Sequence, residues 1–166
     1  MKHPNNTIVY DGKNTTFTWY KTKDFSNYHP ITQAYGIIFN KNGEILICRA
    51  LNEDWGLPGG TPEGEEPLLD TLKREVLEEV DATIIKPVRL GVQKVAIEDE
   101  PSKTVYQARY VARIGKLLPQ TVEPDSGNKW RRKLIPSEKI NSYIKWGMTG
   151  KAIFKDAVES FNNLPK

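Results

Sequence analysis

Residues Gly60 to Ala82 read GTPEGEEPLLDTLKREVLEEVDA. From Pro67 the stretch has helical spacing: Leu69, Leu72, Val76 and Val80 recur every three or four positions and, at about 100° per residue, form one apolar stripe. Pro67 opens the pattern at a position where a missing N–H costs nothing. On the same projection Glu79 falls about 40° to one side of Glu75 and Glu78 about 60° to the other. Three carboxylates therefore share a face beside the stripe, with Glu75 and Glu79 at the rim of a packed surface. Such crowding is unfavourable by itself. Like charges three or four residues apart destabilise a helix by about 0.2 to 0.5 kcal/mol per pair, and anions near its C-terminus oppose the macrodipole by about 0.3 to 1 kcal/mol each. The helix alone allows two readings: an acidic solvated turn, or a cage for a cation that compensates the crowding. Hard oxygen ligands without a soft donor favour Mg²⁺ or Mn²⁺.

That acidic segment sits in a basic chain. It holds eight carboxylates against Lys73 and Arg74, which leaves 22 basic and 13 acidic residues elsewhere, an excess of nine positive charges around one acidic site. Such a field attracts polyanions. With 166 residues, 38% hydrophobic and 27% charged, the composition is that of an ordinary globular chain, and residues 1–166 read as one domain. A single cysteine, Cys48, excludes an internal disulfide and a multi-cysteine zinc site. It reads as a small core residue and not a nucleophile. His3 and His29 are the only imidazoles, so histidine-centred catalysis is not expected. No apolar run approaches the roughly 20 residues of a membrane span, and Met1 to Tyr10 lacks a secretory h-region. The expectation is a cytoplasmic protein without membrane contact.

Around the acidic helix the pattern is mostly of strands. Thr7 to Tyr10 and Thr15 to Tyr20 flank Asp11-Gly12 and suggest a hairpin, within an N-terminal extension over residues 1–30. Its free edge can pair with a second copy, giving a homodimer. Ala34 to Phe39 and Glu44 to Arg49 flank Asn40 to Gly43 as a second hairpin; Ile84 to Ile97, Thr104 to Ile114 and Trp130 to Ile135 read as further strands. Two helices, Ser137 to Trp146 and Lys151 to Asn162, close the chain within residues 137–163. The order of elements is that of an α/β protein with a mixed sheet, not a βαβ repeat.

The segment from Gly60 to Ala82 resembles the Nudix box, G-x5-E-x7-R-E-U-x-E-E-x-G-U, where U is aliphatic. Gly60, Glu66, Arg74, Glu75, Val76, Glu78 and Glu79 fall on the pattern at its spacing. Asp81 replaces its final glycine, Ala82 is a weak aliphatic, and Gly64 stands one place early. Asp tolerates the left-handed conformation of a helix C-cap better than most residues, so the helix can still end there. The resemblance implies a Nudix-type α/β/α sandwich and Mg²⁺-dependent hydrolysis of the pyrophosphate bond in a nucleoside diphosphate linked to another moiety: a nucleotide sugar, ADP-ribose, a dinucleoside polyphosphate or a nucleoside triphosphate. It implies Glu75, Glu78, Glu79 and the Gly60 carbonyl as metal ligands, Arg74 as the residue that holds a glutamate in place, and Arg49, Trp55, Gly59 and Gly60 on the substrate side.

The general base is open between Glu78, Glu79, a group at Glu98, Asp99 and Glu100, and a group at Glu123 and Asp125. Trp55, Tyr106 and Trp130 are candidates to stack on a base, or core residues. KWRRK, Lys129 to Lys133, is read as a solvated strand edge and not an RNA contact, so a nucleotide-type small molecule is the expected partner and nucleic acid is not. A non-catalytic nucleotide-binding module on the same fold is the alternative function.

Overall fold

The chain turns back at Asp11 and Gly12, both at positive φ, so that β1 (Asn5–Tyr10) pairs with β2 (Lys13–Lys21). The computed structural model of the protein describes residues 2–122, 127 and 129–166. The other strands are β3 (Ile31–Phe39), β4 (Glu44–Arg49), β5 (Gly59–Gly60), β6 (Ala82–Ile97), β7 (Val105–Leu117) and β8 (Arg131–Pro136); the helices are α1 (Leu68–Val80), α2 (Ile140–Tyr143) and α3 (Gly147–Asn162). They form one sheet in the order β1-β2-β6-β7-β3-β4-β8, with β5 alongside β3. β3 and β7 run parallel and the other pairs antiparallel, which makes the sheet mixed.

Side chains alternate across the strands and build a core on each face. On one, Leu72, Val76 and Val80 of α1 pack with Ala34, Ile38, Leu46, Val92 and Ala108. On the other, Ile153, Phe154, Ala157 and Phe161 of α3 pack with Ile37, Phe39, Ile45 and Val111. This is the expected α/β/α sandwich.

The sheet opens between β3 and β4. These strands pair at Phe39↔Ile45 and then diverge. The loop between β4 and α1 fills the gap: Cys48 and Gly56 exchange backbone hydrogen bonds, and Gly59 and Gly60 pair with Tyr35 and Ala34. Gly59, at φ 148°, sits where a β-carbon would overlap the Ala34 carbonyl and the Tyr35 backbone. Only glycine lets β5 lie this close to β3.

Several strands start or end one to three residues away from the sequence reading, and three helix boundaries differ from it. Pro67 is not the first helical residue but the N-cap, with ψ 142°, and its carbonyl accepts from the Thr71 N–H at 3.0 Å. Ser137 to Trp146 is not one helix: a 3₁₀ turn over Ser137–Lys139 leads into the single turn of α2. α3 starts four residues before Lys151, at Gly147, whose φ of 63° suits glycine. No described helix is long and apolar enough to cross a membrane.

The end of α1 compensates for the missing glycine. Asp81 takes the left-handed conformation, φ 47° and ψ 48°, and its N–H caps the Leu77 carbonyl at 3.1 Å. Its carboxylate accepts from the Thr121 hydroxyl at 2.6 Å and N–H at 2.8 Å. Arg132 reaches over from β8 and donates to the Val80 carbonyl at 2.7 Å. A cation at a helix C-terminus is favourable. One member of the KWRRK cluster is therefore a cap, which corrects its reading as a wholly solvated edge; Lys133 donates to the Tyr143 hydroxyl at 2.9 Å.

Candidate active site

Arg74 ties the loop before α1 to the helix. Its Nε and Nη2 donate to the two Glu66 oxygens at 2.9 and 3.0 Å, and Nη2 also donates to the Thr61 carbonyl at 3.1 Å. This two-pronged pairing is the geometry for which guanidinium is suited and ammonium is not. Glu66 also accepts from the Thr71 hydroxyl at 2.7 Å and the Glu63 N–H at 3.1 Å. Arg74 and these donors hold its carboxyl down to about 2. The same arginine touches Glu75 and Glu78, each at 3.2 Å.

Glu75 lies against the β5 backbone, where a β-carbon on Gly60 would overlap its Oε1. Glu79 goes deeper. It is only 5% exposed, well inside the rim position that the helical projection gave it. It accepts from the Gly59 N–H at 3.4 Å and from the Cys48 thiol at 3.6 Å, and no cation pairs with it among the described residues. Burial and the neighbouring Glu75 push its carboxyl up to about 9. Burial and Glu79 in turn push the Cys48 thiol up, which keeps it protonated as a donor. Cys48 is thus both core residue and contact of a site carboxylate.

Among the described residues no three carboxylate, thiol or imidazole groups converge as a preformed ion site; the Arg74 guanidinium lies between Glu75 and Glu78. The donor set nonetheless fits a hard cation. It is all oxygen, it is backed by the open β5 backbone, and its deepest carboxylate has no positive partner.

The remaining sequence candidates scatter. Arg49 stacks on Trp55, its guanidinium carbon 4.6 Å from the ring centre, while Trp55 meets Tyr143 edge-on at 6.3 Å. Tyr106 contacts Tyr28, and Trp130 packs against the core beneath α1. Glu98 accepts from Asn14 at 2.5 Å, and Glu100 pairs with Lys13 at 2.8 Å. Asp99 occupies a positive-φ turn. Glu123 and Asp125 lie outside the described residues.

The sequence reading missed a cavity of about 570 Å³ on the α3 side of the sheet. Ile8, Phe17, Tyr35, Leu57, Val95 and Trp146 supply its apolar walls, and Arg109, Gln93 and Gln107 are among its polar groups. It abuts the carboxylates through Tyr35, whose side chain lines the cavity and whose backbone pairs with Gly59.

A family model described as the NUDIX domain matches residues 29–149. The chain belongs to the Nudix hydrolase family. No curated protein matches it. Among solved structures it is similar to a variant of the Bacillus subtilis pyrophosphohydrolase BsRppH, with a TM-score of 0.70 and 21% identity over 93% of this chain and 97% of that one. It is also similar to a mutator MutT protein from Bacillus halodurans, with a TM-score of 0.58 and 22% identity over 76% and 80%, and to a Nudix hydrolase from Nitrosomonas europaea, at 0.59 and 17% over 80% and 88%. These likenesses are of fold.

Proposed function

We propose that the protein hydrolyses the pyrophosphate bond of a nucleoside diphosphate linked to another moiety, with Mg²⁺ or Mn²⁺. One observation carries this reading: a buried glutamate, Glu79, without a cation, placed beside Glu75 at the glycine-only strand β5. Glu75, Glu78, Glu79 and the Gly60 carbonyl are the residues that would hold the ion. When bound, a divalent cation supplies the positive charge that lets pyrophosphate approach these carboxylates and polarises its phosphoryl oxygens. Arg74 fixes the loop through Glu66 and Thr61 and sets where Glu75 and Glu78 stand. Glu79, enclosed by Cys48 and Gly59 and shielded from bulk water, holds its proton in the metal-free protein and would become a proton acceptor once positive charge beside Glu75 ionises it, which makes it the favoured general base over the engaged Glu98 and Glu100. Arg49, held by Trp55, is assigned to substrate phosphate, and the bare backbone of Gly59 and Gly60 admits the substrate to the helix. A cytoplasmic location suits such a substrate.

A second reading, a nucleotide-binding module without turnover, is favoured by the contacts of Arg74, which already compensate Glu75 and Glu78. A screen of nucleotide sugars, ADP-ribose, dinucleoside polyphosphates and nucleoside triphosphates with Mg²⁺ or Mn²⁺ separates the two. The hydrolase releases phosphate or a nucleoside monophosphate and stops on chelation. Turnover of none of them, or turnover that survives exhaustive chelation, overturns the proposal.

A further inference from the structure

β1 ends the sheet on its side, and its ladder with β2 determines which backbone groups are left over. The Trp19 N–H donates to the Pro4 carbonyl at 2.9 Å, and the Glu98 N–H to the Asn14 carbonyl at 2.9 Å. Bonded and non-bonded pairs alternate along an antiparallel ladder. In the register of β1 and β2, Asn6, Ile8 and Tyr10 therefore turn their N–H and C=O groups toward β2, and Asn5, Thr7 and Val9 turn theirs to the open edge. These three have no backbone partner among the described residues. Pro4 faces inward, so its missing N–H leaves no gap along the edge.

The two ends of the sheet differ in protection. At the far edge β8 exposes Arg131 and Lys133 and finishes on Pro136, and such charges and prolines keep an edge from pairing. β1 has no charged residue, no proline and no bulge; Ile8, Val9 and Tyr10 are instead 47, 71 and 63% exposed. The apolar surface continues past the strand. α3 begins beside it, with the Thr149 N–H donating to the Asn6 side chain at 3.1 Å and Gly147 lying against the same asparagine, and between them Met148 is 65% exposed. Contiguous apolar surface on an unprotected edge marks a protein contact.

We infer that β1 joins a second copy of this chain, antiparallel about a two-fold axis at Thr7, so that the two sheets become one. Such a contact is self-complementary and closes on itself. Pairing must match outward-facing residues with outward-facing residues, which admits an axis at Thr7, Ile8 or Val9. Thr7 gives the longest ladder: Asn5 pairs with the partner's Val9, Thr7 with the partner's Thr7, and Val9 with the partner's Asn5, and each pair exchanges both N–H···O=C bonds. That register opposes no like charges and sets Asp11, at each hairpin tip, beside the partner's Lys2. The free edge read from the sequence thus acquires an axis and a register. Asn6, Ile8 and Tyr10 line the cavity on the α3 face of β1; the partner's Ile8 continues that wall, and both α3 N-termini, with Met148, stand on the same face. The pairing is independent of what the site cleaves.

Analytical ultracentrifugation in chelator, without nucleotide, tests the inference, and the protein should sediment as a dimer at micromolar concentration. Thr7→Pro deletes an outward N–H that has no partner within the protomer, at an edge position where proline is tolerated. Both bonds at the axis are lost, and dimerisation should weaken at least about tenfold. Val9→Lys charges the edge and should weaken it as well, whereas Thr7→Val keeps the donor and should leave the dimer intact. Thr7→Cys adds a thiol to a chain whose Cys48 is buried. A bonded antiparallel pair spaces its Cα atoms about 5.5 Å apart, within disulfide reach, so mild oxidation should link the two copies; Lys133→Cys, on the protected edge, should not link. A monomer at every concentration, a dimer indifferent to both Thr7→Pro and Val9→Lys, or linkage through Lys133→Cys and not through Thr7→Cys overturns the inference. If an edge variant does not fold, oxidation of Thr7→Cys still decides.

Discussion

Glu79→Gln keeps the shape of the side chain and removes its titration, and the surroundings of Glu79 determine the effect. In metal-free protein the carboxyl holds its proton up to about pH 9 because it is buried and faces Glu75; in the unfolded chain it releases that proton near the ordinary glutamate value of about 4.3. Between these limits the folded state binds the extra proton. Stability therefore falls as pH rises, by at most about 1.4 kcal/mol per pH unit for one proton. Below the unfolded value both states are protonated and the slope vanishes; above about 9 both are ionised and it vanishes again. Glu79→Gln lacks this pH dependence, so its stability advantage over the unmodified protein should widen from pH 5.5 to pH 8. Urea unfolding of both proteins in chelator at these two pH values measures it. With Mg²⁺ the same variant should turn over at least about 100-fold more slowly, the scale of losing one well-placed electrostatic group. Parallel pH slopes for the two proteins would refute the account of Glu79 as a buried, proton-holding carboxylate. Normal turnover in a variant that melts lower at every pH would refute its catalytic assignment.

The two glycines of β5 should respond differently to alanine. Gly59→Ala forces a β-carbon into the Ala34 carbonyl and should cost more than about 2 kcal/mol in chemical unfolding, whereas Gly60→Ala meets a movable Glu75 carboxylate and should depress turnover with a smaller loss of stability. Asp81→Ala places a β-carbon residue at left-handed φ without the two Thr121 hydrogen bonds and should lose about 2 to 3 kcal/mol. Asp81→Gly relieves the backbone strain and should lose less, which thermal melts will order.

The helix and its carboxylate face were legible because their evidence is local: Leu69, Leu72, Val76, Glu75, Glu78 and Glu79 lie within four turns of one regular spiral. How deep Glu79 sits was not legible, since its depth is set by Cys48 and Gly59, brought together where the sheet parts between β3 and β4. The strand TVYQARYVARI showed an alternation, with Gln107 and Arg109 out of phase with Ala108 and Tyr110. Read with period two, the polar set belongs to a solvent face. The start of α3, with Trp146 and Thr149, instead borders it. An arginine in the middle of a long strand, with Ala108 and Tyr110 on either side of it, was the signal available. Arg132 was misassigned for a similar reason: its partner, the Val80 carbonyl, is 52 positions away and no spacing rule connects them.

The alternation of side chains across β6 and β7 has a consequence for divergence. Val92, Ala108 and Tyr110 face α1, while Gln93, Gln107 and Arg109 face the cavity. Adjacent residues of one strand thus belong to separate layers, and replacing those of the cavity leaves the seat of the carboxylate helix intact. Descendants of this scaffold can change the shape of the cavity while inheriting the carboxylate helix and its seat whole, and a library confined to positions 93, 107 and 109 would retrace such drift in the laboratory.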